Sequence, residues 1–390
     1  MIDCYENIKD KPDWTSSFVQ HDFPQLLEQL QQIVVGKPEV FRLACITMLC
    51  GGHLLLEGAP GVGKTLFART LAQVTAADYR RLQMTPDMLP ADVTGSMVFD
   101  PKGGELRYSG SPLDAHIVLA DELNRASTRT QAALLEAMEE GTISVDGITR
   151  KLPEPFMLIA TQNPLSFEGT YRLLEAELDR FLMRLTIEYP DPEMESDMLI
   201  QQLAYEGYTR KVRAVLTPEE WLLIRKRIRK QHVDAAICRY IVELVQATRS
   251  HADVRLGVSP RGSAALLRAS QAEAFLHGRD YVIPADVQAV AVPVLAHRLQ
   301  LRGGEDAAER QASIIQELLL SAPVPTFGHK LPRTHASAGG SGSQGGRKAR
   351  RAAKLLRRPA YAGSSVPEQL PAMLRKQRRA NHSWLGGLFR

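Results

Sequence analysis

The amino-acid sequence predicts an α/β fold, a doubly wound parallel sheet followed by a smaller all-helical domain. Three apolar runs bounded by turn residues, HLLLEG, HIVLAD and PFMLIATQN, are typical of buried parallel strands. Stretches with helical apolar spacing, such as GKTLFARTLAQVTAA and RTQAALLEAMEEG, alternate with them. This alternation is the pattern of a parallel sheet covered by helices.

Composition divides the chain into four predicted parts. A polar lead occupies residues 1–22, and the α/β core occupies residues 23–189. Residues 190–329 form the helical domain, because apolar positions in segments such as ICRYIVELVQAT recur at the helical period. Residues 330–390 are Gly/Ser-rich and then basic, a composition that predicts disorder.

Length, composition and cysteine content favour a cytoplasmic protein without a transmembrane segment. The 390 residues are 44% hydrophobic and 24% charged, enough to bury one or two ordinary cores. No run approaches the roughly 18 uninterrupted apolar residues of a membrane helix, and the polar N-terminus lacks the pattern of a signal peptide. The cysteines lack CxxC spacing, which favours a reducing compartment. They are Cys4, Cys45, Cys50 and Cys238.

The charge is unevenly distributed between the two ends of the chain. Residues 330–390 hold 14 Lys or Arg and one acid, Glu368, a formal charge of +13. Since the whole chain carries +4, the remainder carries −9. A solvated appendage is the commoner role for such a basic run. Binding to nucleic acid or another anionic surface is the alternative.

The segment GAPGVGKT predicts a nucleotide site. It matches G-x-x-x-x-G-K-[ST] and lies between an apolar strand and a helix, the context that this phosphate-binding loop requires. The glycines let backbone amides turn towards phosphates, Lys64 reaches the outer phosphates, and the Thr65 hydroxyl binds magnesium. The predicted nucleotide-binding residues are Gly58, Ala59, Pro60, Gly61, Val62, Gly63, Lys64, Thr65 and Leu66.

Polar residues that end two strands predict hydrolysis. Asp121 is placed to hold magnesium, partly through water, and Glu122 to polarise an attacking water. Asn163 follows PFMLIATQ and could position that water. Helix capping by the acids and strand closure by Asn163 are the alternatives. The strand-like run DYRRLQM, between the loop and HIVLADE, favours additional-strand ATPases over nucleotide kinases.

Two long segments between the predicted core elements are interpreted as functional insertions. The connection over residues 85–115 is longer than a compact sheet needs. Residues 140–156, EGTISVDGITRKLPEPF, alternate apolar and polar residues around the turn-forming pair DG, which predicts a β-hairpin.

Together these residues resemble the MoxR family of AAA+ ATPases over about residues 21–325. The spans that carry the resemblance are GAPGVGKT, RRLQMTPDMLPADVTG, VLADELNRASTRTQAALLEAMEEGTISVDG, LPEPFMLIATQNP, EGTYRLLEAELDRFLMR and GVSPRG. The chain departs from the family pattern at Arg172 to Leu174 and at GSPLDA. The basic tail is also outside that pattern.

The resemblance implies a P-loop AAA+ core with a helical lid, ATP and Mg²⁺ as cofactors, and a role for each matching residue. The implied roles are Walker A for Lys64 and Thr65, Walker B for Asp121 and Glu122, sensor 1 for Asn163, arginine finger for Arg180, and sensor 2 for Arg261. Arg180 would project into the nucleotide of a neighbouring subunit. Without the resemblance, pairing of Arg180 with Glu177 or Asp179, and a surface salt bridge for Arg261, would be favoured.

The leading functional hypothesis is an ATP-driven chaperone. The resemblance implies a homo-oligomeric ring, predicted to be a hexamer, which remodels a protein client with a von Willebrand factor A domain partner. The two insertions would then face the pore or the client. One alternative is a nucleic-acid motor, supported by the basic tail but opposed by the −9 charge of the body. The other is a nucleotide-gated scaffold with slow hydrolysis.

Overall fold

The structure, a computed structural model, describes residues 17–34, 38–163, 170–204, 212–303 and 308–325. These residues belong to one structural unit, which ends at Gly328. The basic tail predicted for residues 330–390 and most of the polar lead predicted for residues 1–22 lie outside the described residues.

The strands form one central sheet and three small ladders. They are β1 Leu54–Glu57, β2 Tyr79–Gln83, β3 Met97–Asp100, β4 Glu105–Tyr108, β5 Ile117–Asp121, β6 Thr142–Val145, β7 Ile148–Lys151, β8 Met157–Gln162, β9 Met183–Thr186, β10 Val254–Leu256 and β11 Gln300–Leu301. The central sheet has the order β2-β5-β8-β1-β9, and all its neighbouring strands are parallel.

Helices cover the sheet and form the second part of the chain. In the first part they are α1 Phe23–Ile33, α2 Pro38–Leu49, α3 Lys64–Val74, α4 Pro90–Thr94, α5 Thr128–Glu140 and α6 Glu175–Leu178. In the second part they are α7 Pro192–Ala204, α8 Pro218–Ile228, α9 Ala235–Ser250, α10 Pro260–Leu276, α11 Pro284–Leu295 and α12 Ala308–Ser321. A 3-10 turn, Ala296–Arg298, follows α11.

The predicted doubly wound sheet is confirmed by how the strands are buried. Leu54 and Leu56 of β1 belong to one apolar cluster, whereas Leu55 between them belongs to another. Strands β5 and β8 divide their residues between the same two clusters. Since side chains alternate between the faces of a strand, both faces of the sheet are buried, which explains the continuous apolar runs in the sequence.

The strand order corrects one argument from the sequence. The run DYRRLQM does form a strand, β2, but it lies at the edge of the sheet. The strand that separates β1 from β5 in space is β8, whose sequence is MLIATQ. The sequence pattern placed an extra strand correctly along the chain, but chain order does not give spatial order. Strand β9 was not predicted, because its four residues, MRLT, carry a charge in the middle.

Both insertions contain the local structure that their sequences favour. Residues 85–115 include α4 and the antiparallel hairpin β3–β4. The predicted hairpin in residues 140–156 is confirmed as β6–β7, and its turn residues Asp146 and Gly147 have φ of 49° and 77°. Two successive positive φ values are the mark of a type I′ turn. The guanidinium of Arg150 lies 4.2 Å from the ring centroid of Tyr108, so the two insertions touch.

The second part of the chain is helical, with one exception to the all-helical prediction. Strands β10 and β11 form a short antiparallel ladder between the helices. Their three and two residues are too few to give a period-two signal. The part is fixed to the core by Trp221 of α8, which is fully buried and donates its indole N–H to the Met48 carbonyl at 2.8 Å.

Among the described residues, no helix has the length and apolar content that a membrane span requires. The thiols of Cys45, Cys50 and Cys238 are free. Burial raises the pKa of both Cys45 and Cys50 to about 12, so these two thiols behave as small apolar side chains.

A half-buried histidine joins three elements of the core. His53 precedes β1, and its Nδ1 accepts a hydrogen bond from the Leu158 N–H at 3.0 Å. Its Nε2 lies 3.1 Å from the Met138 carbonyl at the end of α5, so Nε2 carries the proton and donates it. Burial lowers the pKa of His53 to about 4, and the ring is neutral in the folded protein.

We predict that His53 makes the protein less stable in mild acid. Its pKa is depressed on folding, so its contribution is complete above about pH 6.5 and is lost as the pH falls towards 4, a difference of about 3 kcal/mol at most. H53Q can keep both hydrogen bonds but does not titrate. Urea unfolding between pH 7 and pH 4.5 should show a shallower loss of stability for H53Q than for the wild type.

His297, which is buried, serves as an internal reference for this measurement. Burial also lowers the pKa of His297, which therefore destabilises the protein in acid in the same direction. H53Q leaves that contribution in place, so the difference between the two pH profiles isolates His53. Parallel profiles would contradict the prediction.

Candidate functional site

The carboxyl ends of the parallel strands bring several predicted site residues to one edge of the sheet. Strand β1 leads into Gly58, β5 ends at Asp121, and β2 ends at Gln83. Gln83 is the register partner of Asp121, and Gln162 at the end of β8 is the partner of Glu57. In parallel α/β sheets, ligands bind outside this edge.

The loop between β1 and α3 has the backbone of a phosphate cradle. Gly61 and Gly63 have φ of 83° and 90°, the left-handed region that favours glycine. A Cβ on Gly58 would lie 2.4 Å from the Ile187 carbonyl oxygen, so only glycine fits there. Helix α3 begins at Lys64, and its first N–H groups are directed at the loop. Thus the predicted residues Gly58 to Leu66 form one continuous cradle and first helical turn.

The Lys64 side chain folds back over this cradle. Its ammonium donates to the carbonyl oxygens of Gly58 and, at 3.2 Å, Ala59. Burial lowers the pKa of Lys64, whereas the nearby carboxylates of Asp121 and Glu122 act in the opposite direction. The ammonium is therefore a positive charge held inside the loop, where phosphate oxygens would replace the two carbonyl acceptors.

Asp121 is buried and held by three other side chains. Thr161 donates to its Oδ1 at 2.6 Å. Arg81 donates to its Oδ2 through Nη2 at 2.6 Å and Nε at 3.0 Å. Thr65 donates to the same Oδ2 at 3.4 Å, which brings together the hydroxyl and the carboxylate predicted to bind magnesium.

These oxygen donors fit a magnesium ion. Among the described residues there is no group of three or more His, Cys, Asp or Glu side chains that could form a protein-only metal site. Magnesium in nucleotide sites is usually held by one or two protein oxygens, with phosphates and waters as the other ligands. The pair Thr65 and Asp121 matches that requirement.

Glu122 has an unusual backbone and a fixed carboxylate. Its φ of 58° is in the left-handed region, which is rare for a residue with a side chain. Its N–H donates to the Thr161 hydroxyl at 2.8 Å. Its Oε2 accepts from Gln83 Nε2 at 3.1 Å and lies 3.1 Å from Arg125 Nε. The Arg125 guanidinium therefore lies against this carboxylate.

Asn163 directly follows β8, next to the strand that carries Asp121. It therefore lies at the same edge as the phosphate loop, and its function in positioning water stays a prediction.

Arg180 and Arg261 lie together at the opposite edge of the sheet. Both side chains contact Glu139 at the end of α5. Arg180 Nε is 3.2 Å from Glu139 Oε2, and Arg261 Nη2 donates to Oε1. They also share a cavity with Gly52 and His53, which precede β1. The pairing of Arg180 with Glu177 or Asp179 that the isolated sequence favoured is therefore wrong, because Glu139 reaches it instead.

A buried ion pair holds the segments that carry these two arginines. Arg298 donates through Nε to Asp179 Oδ1 at 2.7 Å, and through Nη2 to the Phe181 carbonyl at 2.6 Å. Asp179 Oδ2 accepts from the Ser259 hydroxyl at 2.8 Å, and Ser259 is the N-cap of α10. The residue before Arg180 is thus linked to the start of the helix that carries Arg261.

The length of the strands separates the two groups of site residues. Strand β1 has four residues between the arginine edge and the phosphate loop, which corresponds to about 13 Å. The sheet is buried on both faces by helices, so no side chain from the arginine edge passes through it to the loop. In this structure the side chains of Arg180 and Arg261 therefore lie about one strand length from the loop of the same chain.

Several residues that shape these sites were not predicted from the sequence. Gln83 could have been identified from the sequence, because it lies near the end of the strand-like run DYRRLQM, which precedes HIVLAD in the chain. Thr161 and Arg81 were not detectable, because their contacts with Asp121 depend on the register between neighbouring strands. Glu139 was not detectable, because it is one of several acids in EAMEEG.

Two family models match the chain. The model of the ATPase family associated with various cellular activities (AAA) matches residues 53–183, and the model of the AAA lid domain matches residues 246–318. The first range contains the phosphate loop, Asp121, Glu122 and Arg180, and the second contains Arg261.

Individual proteins are similar over most of the chain. YeaC of Bacillus subtilis (strain 168), itself uncharacterised, is 46% identical over 78% of this chain and 97% of YeaC. Chaperone MoxR1 of Mycobacterium tuberculosis (strain ATCC 25618 / H37Rv) is 35% identical over 83% of this chain and 89% of its own. Protein MoxR of Paracoccus denitrificans is 31% identical over 76% of this chain and 94% of its own.

A solved structure extends the likeness to the fold. The crystal structure of a Cytophaga hutchinsonii protein assigned as an ATPase has a TM-score of 0.73 and 33% identity, and the match covers 80% of this chain and 98% of that chain. With the order of the central sheet and the helical second part, these similarities show a P-loop AAA+ core with a helical lid. The chain belongs to the MoxR family of AAA+ ATPases.

Proposed function

We propose that this protein binds ATP with Mg²⁺ in the cradle at the carboxyl edge and hydrolyses it between subunits of a hexameric ring. The observation that carries the proposal is the distribution of the site residues. The cradle, Asp121 and Glu122 lie at one edge of the sheet, whereas Arg180 and Arg261 lie at the other. A ring of identical subunits in head-to-tail contact brings opposite surfaces of neighbours together.

The residues at the carboxyl edge supply binding and water activation. The backbone N–H groups of the loop and the Lys64 ammonium bind the phosphates, while Thr65 and Asp121 hold the magnesium ion. When bound, the ion neutralises charge on the phosphates. The Glu122 carboxylate accepts a proton from the attacking water, and Asn163 positions that water. Among the described residues only Oε2 of Glu122 has hydrogen-bond partners, so Oε1 is the oxygen available to the water.

The residues at the amino edge supply positive charge to a neighbouring subunit. A guanidinium on the transferring phosphoryl group stabilises the transition state, and such an arginine finger contributes on the order of 10³ to 10⁵ in rate. Arg180 and Arg261 share Glu139, so we assign both to the same neighbour. Hydrolysis then depends on assembly.

We further propose that the ATPase acts on a protein client as a chaperone, with a von Willebrand factor A domain partner. The name Chaperone MoxR1 of one relative supports the chaperone role. The β3–β4 hairpin supports a protein client, because it exposes apolar side chains to solvent. Val98, Phe99 and Leu106 are 52%, 59% and 63% exposed. Such a surface suits a polypeptide better than a nucleic acid.

The remaining sequence predictions are retained as part of this proposal. They are a cytoplasmic location, a domain boundary near residue 190, and a basic tail that is a solvated appendage, with binding to nucleic acid or another anionic surface as the alternative. A nucleotide-gated scaffold with slow hydrolysis is the alternative. Steady-state kinetics of the wild type would distinguish it from the ATP-driven chaperone, because the scaffold would turn ATP over slowly.

We predict that E122Q binds ATP but does not turn it over. The amide keeps the size of the side chain and still contacts its neighbours, but it cannot accept the proton of water. General-base catalysis contributes about a hundredfold or more, so turnover should fall by at least that factor while nucleotide affinity stays near that of the wild type. Phosphate release and fluorescent-nucleotide binding measure the two quantities. E136Q, on the exposed side of α5, is the matched control and should hydrolyse normally.

We predict that two inactive variants restore each other. K64A lacks the phosphate-binding charge, and R180A lacks the finger. In a mixed ring, about a quarter of the interfaces combine an intact loop with an intact arginine, so turnover should return after mixing. K64A mixed with R261A should behave in the same way.

The control for mixing is K64A with E122Q. Both changes affect the loop side of every interface, so no combination of these two chains creates an intact site, and turnover should stay absent. Recovery in this control, or undiminished turnover of R180A alone, would contradict a site divided between subunits.

A further inference from the structure

A cavity of about 420 Å³ lies at the amino edge of the sheet, below helices α8 and α10 of the lid. Its floor includes Gly51, Gly52 and His53, which lead into β1. Five arginine side chains line it, which is an unusual concentration of positive charge for one cavity. They are Arg180, Arg225, Arg261, Arg268 and Arg298.

Four carboxylates also line the cavity, and two of them pair with three of these arginines; the four are Glu139, Glu140, Glu154 and Asp179. Asp179 pairs with Arg298, and Glu139 pairs with both Arg180 and Arg261. No carboxylate among the described residues lies within ion-pair distance of Arg225 or Arg268. Arg268 Nε donates to the Ala264 carbonyl of its own helix at 3.4 Å. Arg225 Nε is buried and has no hydrogen-bond partner in the described structure.

The backbone is shaped to hold Arg225 in this position. A Cβ on Gly51 would lie 2.3 Å from both the guanidinium carbon and Nε of Arg225. Gly51 also has a φ of 65°, which a residue with a side chain rarely adopts. The positive φ favours glycine at this position, and the absence of a side chain lets the guanidinium lie against the backbone.

The electrostatics of the surrounding groups show the same uncompensated charge. The pKa of Arg225 is lowered by burial first and then by repulsion from Arg229 and Arg268, against attraction by Glu154. Arg225 and Arg268 also act to lower the pKa of the His53 ring. Arg225 is half-buried and Arg268 is exposed, so solvent weakens their repulsion, and an anion bound between them would remove it.

We propose that this cavity is a phosphate-binding site, distinct from the phosphate loop, in which Arg225 and Arg268 clamp a phosphoryl group. The planar guanidinium fork matches phosphate oxygens in a bidentate manner. A phosphoryl group has three strong acceptor oxygens and suits several guanidinium donors better than the two oxygens of a carboxylate.

The phosphoryl group has two sources that fit this chemistry. One is a free phosphate compound, such as pyrophosphate, which binds a single chain. The other is the nucleotide held by a neighbouring subunit, since Arg180 and Arg261 line the same cavity. The second source rests on the proposed function, whereas the first does not.

The first experiment titrates pyrophosphate into dilute K64A, whose phosphate loop is disabled, by calorimetry. Pyrophosphate should still bind K64A. In the triple variant K64A/R225Q/R268Q the affinity for pyrophosphate should be lower by about tenfold or more, because each lost contact is a charge-assisted hydrogen bond. The matched control is R227Q, on α8 but exposed and outside the cavity, which should leave the affinity unchanged.

The second experiment follows ATP turnover against protein concentration in R225Q/R268Q with an intact loop. One outcome is that turnover falls about fivefold or more at concentrations where chains associate, while pyrophosphate binding in the first experiment is unchanged. This outcome assigns the phosphoryl group to the neighbour's nucleotide. The proposal is overturned if R225Q/R268Q changes neither the pyrophosphate affinity nor the turnover.

Folding of the variants is checked by thermal melting. Neither guanidinium has a carboxylate partner, so R225Q/R268Q should melt at or above the temperature of the wild type. R225K/R268K keeps the charge without the fork and should bind pyrophosphate with intermediate affinity. Failure of the E122Q or mixing predictions leaves the pyrophosphate experiment valid, because that experiment uses no hydrolysis and no assembly.

Discussion

The single direction of all five strands in the central sheet determines what each side of this protein can do. Parallel strands place every carboxyl end at one edge and every amino end at the other. The loop after β1 and the acids that end β5 therefore meet at one edge. The segments that precede β1 and β9 meet at the other edge, where the end of α5 and the lid also lie. Two groups of charged side chains, one at each edge of the sheet, follow from this one topological fact.

Asp121 shows how the buried sheet supports the carboxyl edge. Its two oxygens are shared among Thr161, Arg81 and Thr65, which belong to three different elements. The Thr161 hydroxyl also accepts the N–H of Glu122, so one threonine fixes both acids. A buried carboxylate without such partners would be costly, and a partly satisfied network is less stable than a complete one. This network orients the acids before any ligand arrives.

The sequence predicted the parts of this protein that depend on local patterns. The phosphate loop, the strands β1, β5 and β8, and the β6–β7 turn each have a signal within a few neighbouring residues. The order of the strands, the short strands β9, β10 and β11, and the contacts of Thr161 and Glu139 depend on residues far apart in the chain. A register or a tertiary ion pair leaves no trace in spacing, so these features required the structure.

Arg180 and Arg261 show the difference between what the sequence predicts and what requires the structure. The motifs LDRF and SPRG name the residues, but they do not say where the guanidinium groups lie relative to the loop of the same chain. The structure places both at the edge opposite the loop, against Glu139. That position depends on the tertiary structure, so it could not be predicted from the two motifs.

The lid and the arginine edge behave as one body because of Arg298. Its guanidinium is almost fully buried and donates to the Asp179 carboxylate and to the carbonyls of Asp179 and Phe181. Breaking a buried ion pair by separating its partners typically costs about 3 to 5 kcal/mol. A movement of the lid that left Arg180 behind would incur that cost and would also break the contact of Ser259 with Asp179. Any rearrangement that preserves these bonds therefore moves the segments that carry Arg180 and Arg261 together.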